Sequence, residues 1–272
     1  MRAAAARAPR DGADAVAFPV RLSVLRGLTK EISTSARDRR PIAVAGPLAD
    51  VLRRELARGG DESAVRVGDD PRGAALLLYV LGRSVTEADE EILKRARRAR
   101  VPIIALAEDA GRVPYVLATD VVPLPRGSGF PVEAIARAIA RKLGEDGTAL
   151  AARLPVLRGP VCEQLVAAFA RKNAIVAAAV FVPGADLPVL ALNELRLVLR
   201  IAAAHGAEVD TQRLPEIAAT LGAGFGLRAL ARELLDVVPV AGWAVKSGVA
   251  YAGTRALGEA AVRRFALEAS NA

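Results

Sequence analysis

The sequence predicts an α/β domain followed by an all-α domain: a doubly wound parallel sheet, P-loop-like but degenerate, then a C-terminal helical-hairpin domain. Three observations carry this. Between Pro41 and Gly147, short apolar runs bounded by turn residues alternate with helical stretches, the pattern of βαβ units. After Gly147 the short runs stop and long helical stretches take over. Hydrophobic residues make up 53% of the chain but aromatics only 4%, so Ala, Val and Leu dominate and helix is favoured over β-sandwich. The divisions that follow are 1–40, a flexible basic segment with an amphipathic helix; 41–147, the α/β domain; and 148–272, the helical domain.

In chain order, residues 1–18 have the texture of disorder. Val20–Ile32 places Leu22, Leu25, Leu28 and Ile32 at helical spacing with Arg and Lys between them, an amphipathic helix that either packs on a domain or lies on a membrane. Ile42–Ala45 is a short strand ending at Gly46. Leu48–Arg58 is a helix stopped by Gly59-Gly60, and Ala64–Val67 a second strand. Ala74–Leu81 is too apolar to be half exposed and belongs in the centre of a parallel sheet. Thr86 opens a helix with Asp89 three residues on, an acidic variant of the capping box. Acidic residues fill its first turns and basic residues its last, the polarity that the helix dipole favours. Pro102–Ala107 and Val116–Leu124 read as the fourth and fifth strands, and Pro131–Leu143 as a helix ending at Gly144. Val161–Val182, Leu187–His205, Leu214–Leu221, Leu227–Val237 and Ala241–Ala269 read as the helices of the second half.

The 272 residues suffice for a core without a disulfide or metal staple. A single cysteine, Cys162, excludes an intramolecular disulfide and a cysteine zinc cluster. A single histidine, His205, argues against a two-His metal site and most catalytic triads. Residues 1–40 carry 9 Lys/Arg against 4 Asp/Glu, residues 41–147 carry 16 of each, and residues 148–272 carry 13 against 10. A basic surface of this kind suits an anionic membrane. Nucleic acid is not favoured, because the arginines are not interleaved with aromatics and no nucleic-acid motif stands in the sequence. An Arg- and Ala-rich chain also reflects a high-GC genome. Met1–Arg10 is followed by no apolar run of signal-peptide length, so the N-terminus is expected to stay cytoplasmic.

A strand ending in Gly46 before a helix is where a phosphate loop would sit. That loop needs GxxxxGK[ST], whose amides cradle phosphate and whose Lys and Ser/Thr reach the β/γ oxygens and magnesium. Here Gly46 opens GPLADV, followed by Leu52 and Arg53; the second Gly, the Lys and the Ser/Thr are missing, and Pro47 removes an amide donor. No Asp-x-x-Gly follows the third strand, where Leu81-Gly82-Arg83 stands. The segment Leu106-Ala-Glu108-Asp109 lacks the Asn-Lys pair of a guanine-specific loop. Gly127-Ser-Gly129 is an isolated GxG, equally a turn before Phe130-Pro131. No catalytic, cofactor or metal residue is therefore assigned, and bound nucleotide is not expected. The helix start after Gly46 retains the capacity to hold an anion weakly.

The helical half carries the most specific text. Val182-Pro183-Gly184-Ala-Asp186-Leu-Pro188-Val-Leu190 runs into Asn193-Glu194-Leu-Arg196-Leu-Val-Leu-Arg200, and that helix ends at His205-Gly206. Later come Gly222-Ala-Gly224-Phe-Gly226, Val238-Pro239-Val-Ala-Gly242-Trp243 and Tyr251-Ala-Gly253-Thr254-Arg255-Ala-Leu257-Gly258. About residues 160–268 resemble the YcjF-like domain of unknown function, a helical domain found C-terminal to small GTPase-like domains in bacteria. The shared marks are a Pro-x-x-Asp turn between apolar helices, a helix ending in His-Gly, and a late Pro-x-x-Gly before a Thr-containing helix with a Leu-Gly end. The resemblance implies association with GTPase-like domains and often with membranes, and it implies no reaction. The first half departs from an active GTPase, so hydrolysis is not carried over.

Physically, Ala174–Leu192 has one charge, Asp186, and two breaks, Pro183 and Pro188. A Pro-Gly-x-Asp in mid-membrane would strand carbonyls and a charge, so the stretch reads as a helical hairpin with Asp186 capping the second helix. Gly242, Gly248, Gly253 and Gly258 leave small faces that suit helix pairing in lipid or an Ala-rich bundle in water. Trp243 is an interfacial anchor or a core residue. Arg196 and Arg200 share a helix face with Asp186 or Glu194 as candidate partners, in an anion site or a structural polar network. His205 caps a helix C-terminus, and Cys162, at a helix start, reads as inert for want of a nearby base.

The function expected is a non-catalytic scaffold or adaptor at the inner face of the cell membrane, with an unknown protein partner or a second copy of itself. A nucleotide- or anion-binding regulator using loops around Gly46 and Gly82 is the alternative, and nucleic-acid binding through the basic tail the third reading.

Overall fold

The structure, a computed structural model, describes residues 22–108, 112–179, 187–209 and 242–270. Helix α1 (Leu22–Ala36) precedes β1 (Ile42–Ala45), α2 (Ala49–Ala57), β2 (Val65–Val67), β3 (Leu76–Val80), α3 (Glu87–Arg98), β4 (Ile103–Ala107), β5 (Val121–Pro123) and α4 (Val132–Leu143). Then come α5 (Thr148–Arg153), α6 (Pro155–Ala179), α7 (Leu187–Ala204) and α8 (Gly242–Ser270). Among the described residues, all strands precede Gly147 and everything after it is helical, so the architecture is α/β followed by helices. The helices expected at Leu214–Leu221 and Leu227–Val237, and the texture of residues 1–18, lie outside the described residues.

The five strands form one parallel sheet in the order β2-β1-β3-β4-β5, a doubly wound order whose switch point falls between β1 and β3. Ile42 pairs with Val65 on one side and Leu76 on the other, and Leu77–Val80 run beside Ile103–Leu106. All five residues of β3 are buried, as the unbroken apolar run requires of a central parallel strand. One face, with Val44, Leu78, Val80, Ile104 and Leu106, packs on Leu52 and Leu56 of α2 and Ile135 and Ile139 of α4. The other face, with Ala43, Leu77, Tyr79 and Ala105, packs on Ile92, Leu93 and Ala96 of α3. Thr86 and Asp89 close a full capping box on α3, and the Tyr79 hydroxyl donates to Asp89 Oδ1 at 2.6 Å. Burial, and then that bond to Asp89, raise the tyrosine's pKa.

Several element boundaries differ from the sequence reading: α1 runs on to Ala36, β3 is shorter than Ala74–Leu81, and the short helix α5 was not read. The fifth strand begins at Val121, not Val116, because Ala118–Asp120 form a 3₁₀ turn in which Asp120 N–H donates to the Leu117 carbonyl. The helix expected from Val161 begins at Pro155. Pro160 forfeits one internal hydrogen bond, yet the helix runs through it because Leu157, Val161, Cys162 and Leu165 are all buried. Pro155 sits at the helix start, where a missing N–H costs nothing. Cys162 thus lies two turns inside α6 rather than at a helix start, and burial pushes its thiol up to about 12.

The two halves share one core. Leu157, Val161, Cys162, Leu165 and Phe169 of α6 belong to the same apolar cluster as the sheet's Val44 and Leu78, Ile135 and Ile139 of α4, and Leu257, Ala261 and Phe265 of α8. Polar contacts reinforce the joint. Arg153 Nε donates to Asp61 Oδ2 at 2.9 Å and its Nη2 to Ser63 Oγ, while Asp61 N–H donates to the Arg153 carbonyl. With the Ser63 hydroxyl and then the Arg153 guanidinium bonded to it, the Asp61 carboxyl is lowered to about 2. Helix α1 packs on α7: Leu28 and Ile32 bury against Leu195, Leu199 and Ala203.

Helices α6 and α8 are antiparallel, and Gly258 sits where they and α7 meet. A Cβ there would fall 2.6 Å from Val166 Cγ2 and 3.2 Å from Leu197 Cδ2. The other small-face glycine with described surroundings, Gly248, has open space around it. Gly258→Val gains helix propensity, at most about 1 kcal/mol. Overpacking at the crossing outweighs this, so the variant is expected to lose about 1–3 kcal/mol in urea titration. Unchanged stability would mean that the crossing is looser than described.

Candidate functional site

At the end of β1, where a phosphate loop would sit, the chain approaches β3 closely. Gly46 has φ +93°, and a Cβ there would fall 2.0 Å from the Val80 carbonyl oxygen, so the chain leaving β1 presses on the end of β3 at the switch point. Only glycine fits that approach. Two of the amides at the helix start are engaged: Ala49 N–H donates to the Gly46 carbonyl and Val51 N–H to the Leu48 carbonyl. Asp50 in the first turn of α2 opposes negative charge there. Leu48 holds φ 59°, a strained setting for a branched side chain, and is 67% exposed.

The residues singled out in the helical half fall into two groups. The first is a buried polar chain across three helices. Asn193 Nδ2 donates to Asn173 Oδ1 at 2.8 Å, Asn173 Nδ2 to Thr254 Oγ1 at 2.9 Å, and Thr254 Oγ1 to Glu194 Oε1 at 3.1 Å. All four residues are buried. Asn173 is the member that sequence reasoning missed; its signal is an amide inside the otherwise apolar run Asn173-Ala-Ile-Val-Ala-Ala-Ala. The chain pins α6, α7 and α8 in register, since each member has a specific partner on another helix.

The second group is the arginine face of α7, where the described ion-pair partners are Glu31 and Glu145; Asp186, one of the two partners expected, lies outside the described residues. Glu194 Oε1 accepts from Thr254 Oγ1. Arg196 Nη2 instead donates to Glu31 Oε2 of α1 at 3.0 Å, and Arg200 Nη2 to Glu31 Oε1 at 3.3 Å. Arg200 Nε also lies 2.7 Å from Glu145 Oε2, in ion-pair contact but out of line for a hydrogen bond. Both arginines are thereby spent on tying α1 to α7 and to the turn after α4. The neutralisation explains why nearly buried guanidinium groups are tolerated here.

Gly206 has φ 82° and terminates α7: its own N–H bonds to the Ala203 carbonyl and that of Ala207 to the Ala202 carbonyl, a glycine-closed helix end. His205 Nδ1 lies 2.9 Å from the Ile201 carbonyl and its ring 6.4 Å from that of Phe265, a capping and packing role. Pro188 is exposed in the first turn of α7, and Gly242 opens α8. Pro183, Gly184, Asp186 and Pro239, and the Trp243 side chain, lie outside the described residues. Among the described residues, no three His, Cys, Asp or Glu side chains gather as a metal set.

A third feature was not legible in the sequence. The register of the polar chain, with Ala177, Leu190 and Ala250 packed beside it, places the C-terminal end of α6 and the N-terminal ends of α7 and α8 together. Ile175, Val189 and Val245 are exposed at this end, at 69%, 47% and 39%. Arg171 and Lys172 are exposed one turn away, with Lys172 Nζ 5.6 Å from the Phe169 ring centroid. No helix among the described residues is long and apolar enough to cross a membrane. No family model matches the chain, and no curated protein or solved structure matches it.

Asn173→Ala removes the middle of the buried polar chain and leaves Asn193 Nδ2 without its acceptor. A loss of about 1–3 kcal/mol is expected in chemical unfolding despite alanine's better helix propensity. Wild-type stability would mean that the chain does not hold the helices together.

Proposed function

We propose that the protein is a non-catalytic scaffold or adaptor. In this reading a degenerate GTPase-like α/β unit receives a partner, and the helical unit, similar to YcjF-like domains, attaches it to an anionic membrane surface. The observation that carries the reading is the shared apolar end of α6, α7 and α8, where Ile175, Val189 and Val245 are exposed beside Arg171 and Lys172.

Aliphatic tips flanked by cations suit shallow insertion among lipid headgroups. Full transfer from water favours each aliphatic side chain by about 1.5–3 kcal/mol. Each basic residue near an anionic surface adds about 1 kcal/mol. The sum is that of reversible interfacial binding. The P-loop-like part of the reading rests on the position of Gly46 after β1 alone. Against the alternative of a nucleotide- or anion-binding loop there stand the engaged amides, Pro47 and Asp50.

The full chain is expected to float with phosphatidylglycerol-containing vesicles and to float less with neutral phosphatidylcholine. The pair Ile175→Glu and Val189→Glu, at exposed positions, should abolish flotation without changing the thermal midpoint by more than a few degrees. Flotation unaffected by that pair, or absent in the wild type, contradicts the membrane reading.

A further inference from the structure

At the other end of α7, about 21 Å from Val189 at 1.5 Å per residue, lies an open groove. It is framed by α1, α5 and the turn after α7, and its volume is about 810 Å³. Its floor is made of small residues, among them Ala149, Ala152, Ala203 and Gly206. Five cations line it: Arg26, Lys30, Arg37, Arg39 and Arg153; Glu208 is the one carboxylate among the described lining residues.

Arg153 is engaged by Asp61 and Ser63. The other four have no carboxylate partner among the described residues. The contrast with the next face of the same helix pair is plain, since there Glu31 neutralises Arg196 and Arg200. Arg26 and Lys30 stand four residues apart on one face of α1, and Arg37 follows in the turn just past its end. The like charges of Arg26 and Lys30, four residues apart, disfavour the helix, and no carboxylate among the described residues pairs with either.

We infer that this groove binds a small anion carrying two or more phosphoryl groups. Guanidinium forks match phosphate oxygens two at a time, which favours phosphate over a lone carboxylate. The volume is that of a small-molecule pocket. Among the described lining residues none is aromatic, so none of them offers a nucleic-acid base a ring to stack on and phosphate is what they read. The site is distinct from the Gly46 loop and independent of the membrane reading, which concerns the opposite end of α7.

The test is calorimetric titration of the full chain with sodium tripolyphosphate and with ATP, at low and at physiological salt. The expected result is one saturable site, with ATP no tighter than tripolyphosphate because the base is not read. The exposed double variant Lys30→Gln, Arg37→Gln should weaken binding at least tenfold, and Arg171→Gln, Lys172→Gln should leave it unchanged. Three outcomes overturn the inference: no saturable binding, equal weakening by both double variants, or sulfate at matched ionic strength competing as well as tripolyphosphate. Phosphatidylglycerol vesicles form a separate arm. Vesicle binding lost in Lys30→Gln, Arg37→Gln while tripolyphosphate does not bind would reassign the groove to lipid headgroups and overturn the soluble-ligand assignment. Failure of flotation alone leaves the groove untouched.

Discussion

Val161 of α6 lies against Gly147 at the end of the α/β half, where an added Cβ would come within 3.3 Å of Val161 Cγ2, and Val166, five residues on, is the side chain that Gly258 of α8 makes room for. One helix therefore closes two layers: it completes the core over one face of the sheet and forms the centre of the helical bundle. Neither half has a full core without it. A parallel sheet needs cover on both faces, and on this face α2 and α4 share the work with α6. The Arg153–Asp61 pair and the Gly60 backbone, which a Cβ would drive to within 2.7 Å of Pro155 Cδ, fix where α6 starts.

From this joint the remaining arrangement follows. Helices α7 and α8 pack on the far part of α6, held in register by the Asn193–Asn173–Thr254–Glu194 chain. Helix α1, though first in sequence, docks on α7 through Leu28, Ile32 and the Glu31–arginine pairs. That docking creates the cationic groove on one side of the molecule. The bundle's opposite end leaves Ile175, Val189 and Val245 uncovered. At the switch point the Gly46 backbone presses on the end of β3, where a Cβ would fall 2.0 Å from the Val80 carbonyl oxygen.

Much of the fold was legible where its signals are local. The unbroken apolar run of β3, the Thr86–Asp89 box and the glycine ending α7 each act within a few residues. What stayed hidden depends on distance. Glu31 meets Arg196 across 165 residues, so the arginine face read as pairing within its own neighbourhood, with Glu194. Asn173 gains meaning only when Thr254 and Asn193 arrive beside it. Helix α6 is buried on more than one side, so its periodicity names no single face and Pro160 reads as a break. The six-residue α5 is too short to show a period at all. The exposed end and the groove are properties of the assembled helices, and no segment alone encodes them.

The shared core makes a direct demand on folding. Native-state hydrogen exchange across a urea series would compare amides of β3, residues 76–80, with amides of α8, residues 254–265. The account predicts a common unfolding free energy for the two sets, with the same urea dependence, because losing α6 opens both cores together. Two separate isotherms, with the helical residues exchanging while β3 stays protected, would show the halves to be independent domains and would contradict the central place given to α6.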